Sequence, residues 1–356
     1  MAKLCYTYDN LSRVTVRRTI NLSDQTQTRE TYAYDAAGNI TCSSENCSFR
    51  YGTNNRLTSF NGMTVSYDSD GNMVSAPLDG KATCFQYDSA NRLTSAGDNC
   101  YIYNAEDVRV GNLCGDDCTF YTYNTNAELS QLLQKTTNGV VTKYVYGLGL
   151  IGEEKQGQFK TYHFDYRGST VAITNENGVI TDTFEYDTYG RMTGRTGGSF
   201  VIFGYNGLYG VITDRNGLLY MRARYYSPEL NGFVNADIVS GSISNAITLN
   251  RYAYANGNPV SNVDPFGLSA ERGGVAKSVS ETLSSVEVLD NIKTAEDGFT
   301  LIFKGVKFIK DGDYLTVKGT SSALLDLGIS TKQIHIDELS NFPELAELFQ
   351  SNTSFK

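Results

Sequence analysis

Seven cysteines, two histidines and a few close carboxylate pairs are the side chains here that could carry redox, metal or acid-base chemistry. Cys5, Cys42, Cys47, Cys84, Cys100, Cys114 and Cys118 all fall in the first third of the chain, and an odd number prevents complete internal pairing. The pairs Cys42/Cys47 and Cys114/Cys118 flank polar turn residues. Cross-hairpin disulfides, free thiols and a four-thiolate zinc site stay open for them, although zinc ribbons usually show tighter CxxC pairs. His163 and His335 lie in different regions without metal-ligand spacing, and a packed polar role is expected of His163. Asp311/Asp313 and Asp337/Glu338 are better explained as turn and helix-cap residues than as cation ligands. His335 and Asp337, two apart on a strand-like stretch, would face one side whether or not they form an acid-base pair. "GLGLIG", Gly147 to Gly152, matches GxGxxG after "TKYVY", but no long helical pattern follows, so a hairpin turn is expected there. Asp264-Pro265-Phe266-Gly267-Leu268, taken alone, is a turn signature. No cofactor and no metal is expected.

The bulk properties narrow the field. At 356 residues there is room for two or three domains. A net charge of -9 argues against a nucleic-acid footprint on the repeats or attraction to anionic membranes. With 25 Tyr, 34 Gly, 5 Pro and no Trp, the composition suits short strands joined by tight turns. No run of about 18 apolar residues occurs, and "MAKLCYTYDN" has neither a basic n-region nor an apolar h-region, so neither a membrane span nor a Sec-type signal is expected.

The elements that must position any chemistry are written as repeats. "YTYDNLSRVT" from Tyr6, "YAYDAAGNIT" from Tyr32, "FRYGTNNRLT" from Phe49, "VSYDSDGNMV" from Val65, "FQYDSANRLT" from Phe85 and "FEYDTYGRMT" from Phe184 are one unit with variations; Tyr101 and Tyr121 begin weaker copies. The aromatic-x-Tyr pair places two rings on one face of a strand. Asp opens a turn, and Gly38, Gly71, Asn91 or Gly190, three residues on, supplies the left-handed conformation of a tight hairpin. Steps of 16 to 26 residues between the second tyrosines suit one hairpin per unit in a growing, curved or spiralling antiparallel sheet. Cys5, Cys84 and Cys100 share one phase, three residues before the second Tyr, where packing in a strand stack is expected.

These units resemble the YD repeats of the bacterial Rhs family, a pattern shared with the C components of insecticidal toxin complexes. The likeness continues through "YHFDYRGSTVAITNENGVITDTFEYDTYGR" (Tyr162 to Arg191) and "YNGLYGVITDRNGLLYMRARYYSPELNGFVNAD" (Tyr205 to Asp237), and ends at "DPFGL". It implies a mainly β fold: a cocoon-like wall over residues 1–160, incomplete at this length, and a repeat-associated core over 161–268. It also implies self-cleavage between Leu268 and Ser269 within the signature set by Pro265 and Gly267. The family's aspartic-protease-like reaction needs two carboxylates that cannot both ionise easily; the matching residues are Asp237 and Asp264. Arg224 matches the family's required arginine, whose cation would orient a carboxylate and hold its pKa down. Asp237-Ile238 stands where the family often has Asp-Pro, and Asn231-Gly232-Phe233 where Gly-Arg-Phe is common. Cargo-enclosing members are several times longer, so a C-terminal portion or orphan cassette is expected.

Beyond Leu268 only Tyr314 remains of the tyrosines, and no repeat unit follows. Residues 269–356 read as a small α+β domain: a helix over "VAKSVSETLSSVEVLDNI", strands over "FTLIFKGVKFIKDGDYLTVKG" turning at Asp311-Gly312, a short helix ending at Gly328, a strand at "KQIHI" and a final helix from near Asp337. With 9 Lys and Arg against 13 Asp and Glu, it lacks a strongly basic surface. The resemblance makes it a variable effector or toxin with a cognate immunity protein, carried by secretion machinery or a longer Rhs shell to a secreted or cell-surface location in a bacterium. Two other classes of function stay in view: a surface adhesin whose aromatic sheet binds carbohydrate or protein, and an inactive orphan remnant.

Overall fold

The carboxylate that opens most of the repeats builds the turn after it. In the computed structural model, Asp9 Oδ1 accepts the backbone N–H groups of Leu11 and Arg13, both at 2.9 Å. Asp35, Asp68, Asp88, Asp165 and Asp187 make the same two bonds, and Asn104 and Asn175 make them with an amide oxygen. The residue three places on is left-handed, with φ of 81° at Gly38, 92° at Gly71 and 60° at Asn91. The carboxylate thus replaces the partners that the turn's N–H groups lose when they leave the ladder.

The structure describes residues 2–268 except 45, 128, 148, 240, 243 and 244, and beyond them residues 271–272, 293–295, 298–303, 306–311, 314–318 and 333–335. The chain divides into two compact units, Met1–Val275 and Ala276–Lys356. In the first unit, strands β1 to β4 (Ala2–Tyr8, Val14–Asn21, Gln27–Tyr34, Ile40–Ser43) form one sheet and β5 to β7 (Arg50–Tyr51, Leu57–Phe60, Met63–Thr64) a second. The fourteen strands β8 to β21, from Ser66–Tyr67 to Met192–Thr196, make an open antiparallel meander in strict chain order. In the ten repeat hairpins, which alternate with others, the register shifts at the second aromatic of the repeat: Tyr8, Tyr34, Tyr51, Tyr67, Tyr87, Tyr103, Tyr123, Tyr146, Phe164 and Tyr186. A bulge adds twist and bend, and one at the same place in each repeat bends the wall at regular intervals.

Alternation sends the paired rings inward. Tyr32, Phe49, Phe85, Tyr101, Tyr144, Tyr162 and Phe184 are buried, with the second ring of each repeat packed beside them; only the first repeat departs, leaving Tyr8 largely exposed. The second tyrosines also reach back: Tyr34, Tyr103 and Tyr146 donate their hydroxyls to the carbonyls of Val14, Leu93 and Leu132 on preceding return strands. The inner face is filled by the chain's own next segment, through Tyr67–Tyr252, Tyr101–Tyr225 and Tyr144–Phe203 ring contacts, while Tyr32 meets Tyr189 of the last wall hairpin. That segment holds the four-stranded sheet β22 to β25 (Ile212–Thr213, Leu219–Met221, Arg224–Ser227, Gly232–Phe233) and the pair β26 (Asn262–Val263) and β27 (Glu271–Arg272).

A buried ion pair joins wall to core, in addition to the more exposed Arg215–Asp117 pair at 3.2 Å. Arg109 and Asp214, both fully buried, meet at 2.6 Å, with the guanidinium 4.3 Å from the Tyr220 ring centroid. In the second unit β28 to β32 (Lys293–Ala295, Gly298–Phe303, Val306–Asp311, Tyr314–Lys318, Gln333–His335) form one antiparallel sheet in chain order. The expected turn at Asp311-Gly312 thus joins paired strands, whereas the three expected helices fall outside the described residues.

The cysteines resolve by parity. Cys42 and Cys47 form a disulfide around the Ser43–Asn46 bridge, which sets them opposite each other. Cys114 pairs in register with Asp117 and Cys118 with Leu113, so alternation sends these two thiols to opposite faces, and both are free. Cys84 and Cys100 are exposed and Cys5 half-buried, because three residues before an inward ring is an outward position. His163 is likewise exposed, one residue after buried Tyr162, its Nε2 3.0 Å from Thr174 Oγ1; the packed role expected of it is corrected by the same alternation.

Removing one partner of the buried pair strands the other charge. Asp214→Ala is expected to lower unfolding stability by about 3–5 kcal/mol in urea denaturation. Asp187 supplies a pH test. Burial, reinforced by Glu30, pushes its carboxyl up to about 6, so the native state keeps a proton that the unfolded chain releases near 3.9. Its contribution to stability is greatest below pH 4, declines as pH rises through 4 to 6, and is flat above. Asp187→Asn is expected to remove this decline, a change of about 3 kcal/mol in the wild-type-minus-variant difference measured by denaturation across that window.

Candidate functional site

Three segments of the core converge on one guanidinium. Arg224 begins β24, and its Nη2 lies 2.8 Å from Asp237 Oδ2 and 3.2 Å from Asp264 Oδ2. One nitrogen therefore bridges the two carboxylates that the sequence pattern pairs. Arg224 and Asp264 are each 3% exposed and Asp237 9%, so the three charged groups are buried together. The guanidinium lies 3.5 Å from the Phe233 ring centroid, and its Nη1 donates to the Arg251 carbonyl at 2.9 Å.

Asp237 is set by the wall. Its approach segment is zipped to a repeat: Met73 N–H donates to the Val234 carbonyl at 2.8 Å and Ala236 N–H to that of Gly71 at 3.2 Å. Asp237 N–H then donates to the Arg251 carbonyl at 3.0 Å, while the Arg251 guanidinium donates back to the Asp237 carbonyl through Nε and Nη2. Arg251 was not foreseen, because nothing in its type or spacing separates it from an ordinary surface cation. Val239 N–H donates to Asp237 Oδ1 at 2.8 Å.

Asp264 is a repeat turn put to another use. As in the wall, its Oδ1 accepts the N–H four residues on, Leu268, at 3.0 Å, and its carbonyl accepts from Gly267, whose φ is 69°. In the wall the fourth residue is often Arg or Asn and takes the second oxygen: Arg13 Nε on Asp9 at 2.7 Å, Asn39 Nδ2 on Asp35 at 2.8 Å. Leu268 has no side-chain donor, and Asp264 Oδ2 meets Arg224 instead. Gly267 also sits where a Cβ would come 2.6 Å from the Met221 carbonyl oxygen, and its own carbonyl accepts from Arg224 Nε. Pro265 is buried. Ser269 lies outside the described residues.

Burial pushes the Asp237 carboxyl above the ordinary carboxylate range, against the opposing pull of Arg224, the Val239 N–H bond and Arg251. The expectation that Arg224 holds a carboxylate down is therefore corrected for Asp237: the cation acts in that direction, but lost hydration outweighs it. A carboxyl whose pKa is raised, set beside a second carboxylate on the same guanidinium, is an arrangement suited to acid-base work. Among the described residues there is no cluster of three or more metal-ligating side chains and no helix long and apolar enough to cross a membrane. His335 lies on β32, and its suggested partner Asp337 falls outside the described residues.

Comparison with known proteins agrees with this architecture. The family model described as Teneurin YD-shell matches residues 2–260. The tRNA3(Ser)-specific nuclease WapA of Bacillus spizizenii is 32% identical over 257 residues, and the tRNA nuclease WapA of Bacillus subtilis 30% identical over 272; each match covers 66% of this chain and 11% of the relative. The chain thus spans about a tenth of the length of these relatives. A chain in the crystal structure of TcdB2-TccC3-Cdc42 superposes over 80% of this chain and 16% of its own, with a TM-score of 0.52 at 18% identity, which shows a shared fold. The meander of bulged YD hairpins and the family match over residues 2–260 place this chain in the Rhs/YD-repeat family.

Proposed function

We propose that this chain is a repeat-and-core portion of an Rhs-type toxin that cuts itself after Leu268 and releases residues 269–356 as an effector. The observation that carries the reading is the single Arg224 nitrogen bridging Asp237 and Asp264, with Leu268 N–H on Asp264. Asp264, held by Arg224 and the Leu268 amide, is the base that takes a proton from water. Asp237, whose pKa burial raises, is the acid. The water oxygen adds to the Leu268 carbonyl carbon, the C–N bond to Ser269 breaks, and Asp237 protonates the departing amine. The products are a Leu268 carboxylate and a Ser269 amine. Because the pair is buried, its substrate is the segment already threaded through it. By family analogy the released domain has a cognate immunity protein, and export uses secretion machinery or a longer shell.

Intact mass spectrometry of the purified chain is expected to give two polypeptides, ending at Leu268 and starting at Ser269, while Asp237→Asn and Asp264→Asn each stay whole. A wild-type chain that stays whole rejects the reading and favours an adhesin or a remnant. With Asp237 as the acid, the cleavage rate is expected to fall about ten-fold per pH unit once pH passes its raised pKa, since the donor proton is then lost. Gly267→Ala, clashing with Met221 and strained at φ 69°, is expected to slow cleavage about 100-fold by displacing the threaded segment.

A further inference from the structure

Three consecutive residues at the turn between β23 and β24 hold three consecutive carbonyls of the segment that leads to Leu268. Arg222 Nη1 donates to the Pro265 carbonyl at 2.6 Å, Ala223 N–H to that of Phe266 at 3.1 Å, and Arg224 Nε to that of Gly267. Of the three, Arg222 is the one whose side chain also reaches the wall. Its Nη2 donates to the Tyr209 carbonyl at 3.0 Å and the Ser130 carbonyl at 3.2 Å, and its Nε to Ser130 Oγ at 3.2 Å. Ser130 belongs to the wall and Tyr209 to a short 3-10 turn of the core.

The placement is costly. Arg222 is a non-glycine residue at φ 55°, a conformation that disfavours a side chain. Its guanidinium has no carboxylate within ion-pair distance among the described residues, and the hydrogen-bond partners given above are neutral oxygens. Gly210, itself at φ 77°, leaves room for it, since a Cβ there would lie 2.9 Å from Arg222 Nη2. The Phe266 ring centroid lies 5.6 Å away, adding a contact to the same segment.

We propose that Arg222 is a positioning residue that fixes the register of Pro265–Leu268, so that the Leu268–Ser269 bond and not a neighbour is offered to the carboxylate pair. This inference rests on the self-cleavage reading. The chemistry makes such a device necessary, because a slip of one residue moves the backbone by about 3.3 Å and presents a different peptide bond. The Ala223 contact is a lone backbone bond, and Arg224 is shared with both carboxylates. Arg222 is the contact that ties the segment to wall and core at once without touching either carboxylate.

The test follows the full chain over time by intact mass, comparing wild type, Asp237→Asn, Arg222→Ala and Arg222→Lys. The expected result is a single cut at Leu268–Ser269 in wild type and none in Asp237→Asn. Arg222→Ala is expected to cut at least about ten-fold more slowly, with part of the product ending at Gly267 or Ser269, and Arg222→Lys to fall between. Bond choice is the deciding readout, since general loosening of the fold slows cleavage without adding product ends. If Arg222→Ala loses cooperative unfolding, Arg222→Lys, which keeps the charge and the reach to one acceptor, decides alone. Variants that cut only at Leu268–Ser269, at any rate, overturn the register role while leaving self-cleavage standing. An uncut wild type overturns both.

Discussion

A carboxylate oxygen receiving the backbone N–H groups two and four residues ahead is the bond on which this molecule is assembled. Asp9, Asp35, Asp68, Asp88, Asp165 and Asp187 all make it, and after the first repeat it closes hairpins whose rings face inward. The bond is local, so hairpin follows hairpin without crossovers. A small change in the motif alters what the carboxylate does. Where Leu stands at the fourth place after Asp and Gly at the third, as at Asp214-Arg215-Asn216-Gly217-Leu218 and Asp264-Pro265-Phe266-Gly267-Leu268, the side-chain donor is missing. In both cases the carboxylate reaches an arginine remote in sequence, Arg109 for Asp214 and Arg224 for Asp264. One variant turn locks the wall to the core, and the other makes half of the candidate site.

Charge balance around Arg224 explains why the pair of carboxylates is tolerated. Two buried carboxylates facing one guanidinium carry a net negative charge that the interior disfavours. Burial raises the pKa of Asp237 in spite of three opposing interactions, a shift in the direction that lessens this excess. Arg251 contributes through the backbone, with its guanidinium on the Asp237 carbonyl and its own carbonyl accepting from Arg224 and Asp237. The site is therefore a ring of main-chain and side-chain bonds in which each charged group has a defined neighbour.

Much of this was legible in the sequence, because it depends on alternation and on short-range turns. The inward rings, the left-handed Gly38, Gly71 and Asn91 and the hairpin at Gly147 follow from motifs with fixed offsets, whereas the meeting of Arg224, Asp237 and Asp264 was implied only by the family resemblance. The two cysteine pairs look alike on the page, yet four intervening residues set Cys42 opposite Cys47 while three turn Cys114 from Cys118. That distinction is readable only once the hairpin register is known. Arg222 and Arg251 could not be singled out, since their roles come from carbonyls brought to them by packing across 43 and 14 residues.

The zipper between Gly71–Met73 and Val234–Ala236 spans more than 160 residues of chain and joins an early hairpin to the segment carrying Asp237. Chain order gives this contact a meaning in time. On a growing polypeptide the hairpins form as they emerge, but the bonds from Met73 and Ala236 wait until the chain has returned to the start of its long sheet. Arg222 likewise needs Ser130 and Tyr209 before it can grip Pro265. Asp237 thus takes its place only against a wall hairpin already in position, so the carboxylate pair depends on a part of the sheet made far earlier in the chain.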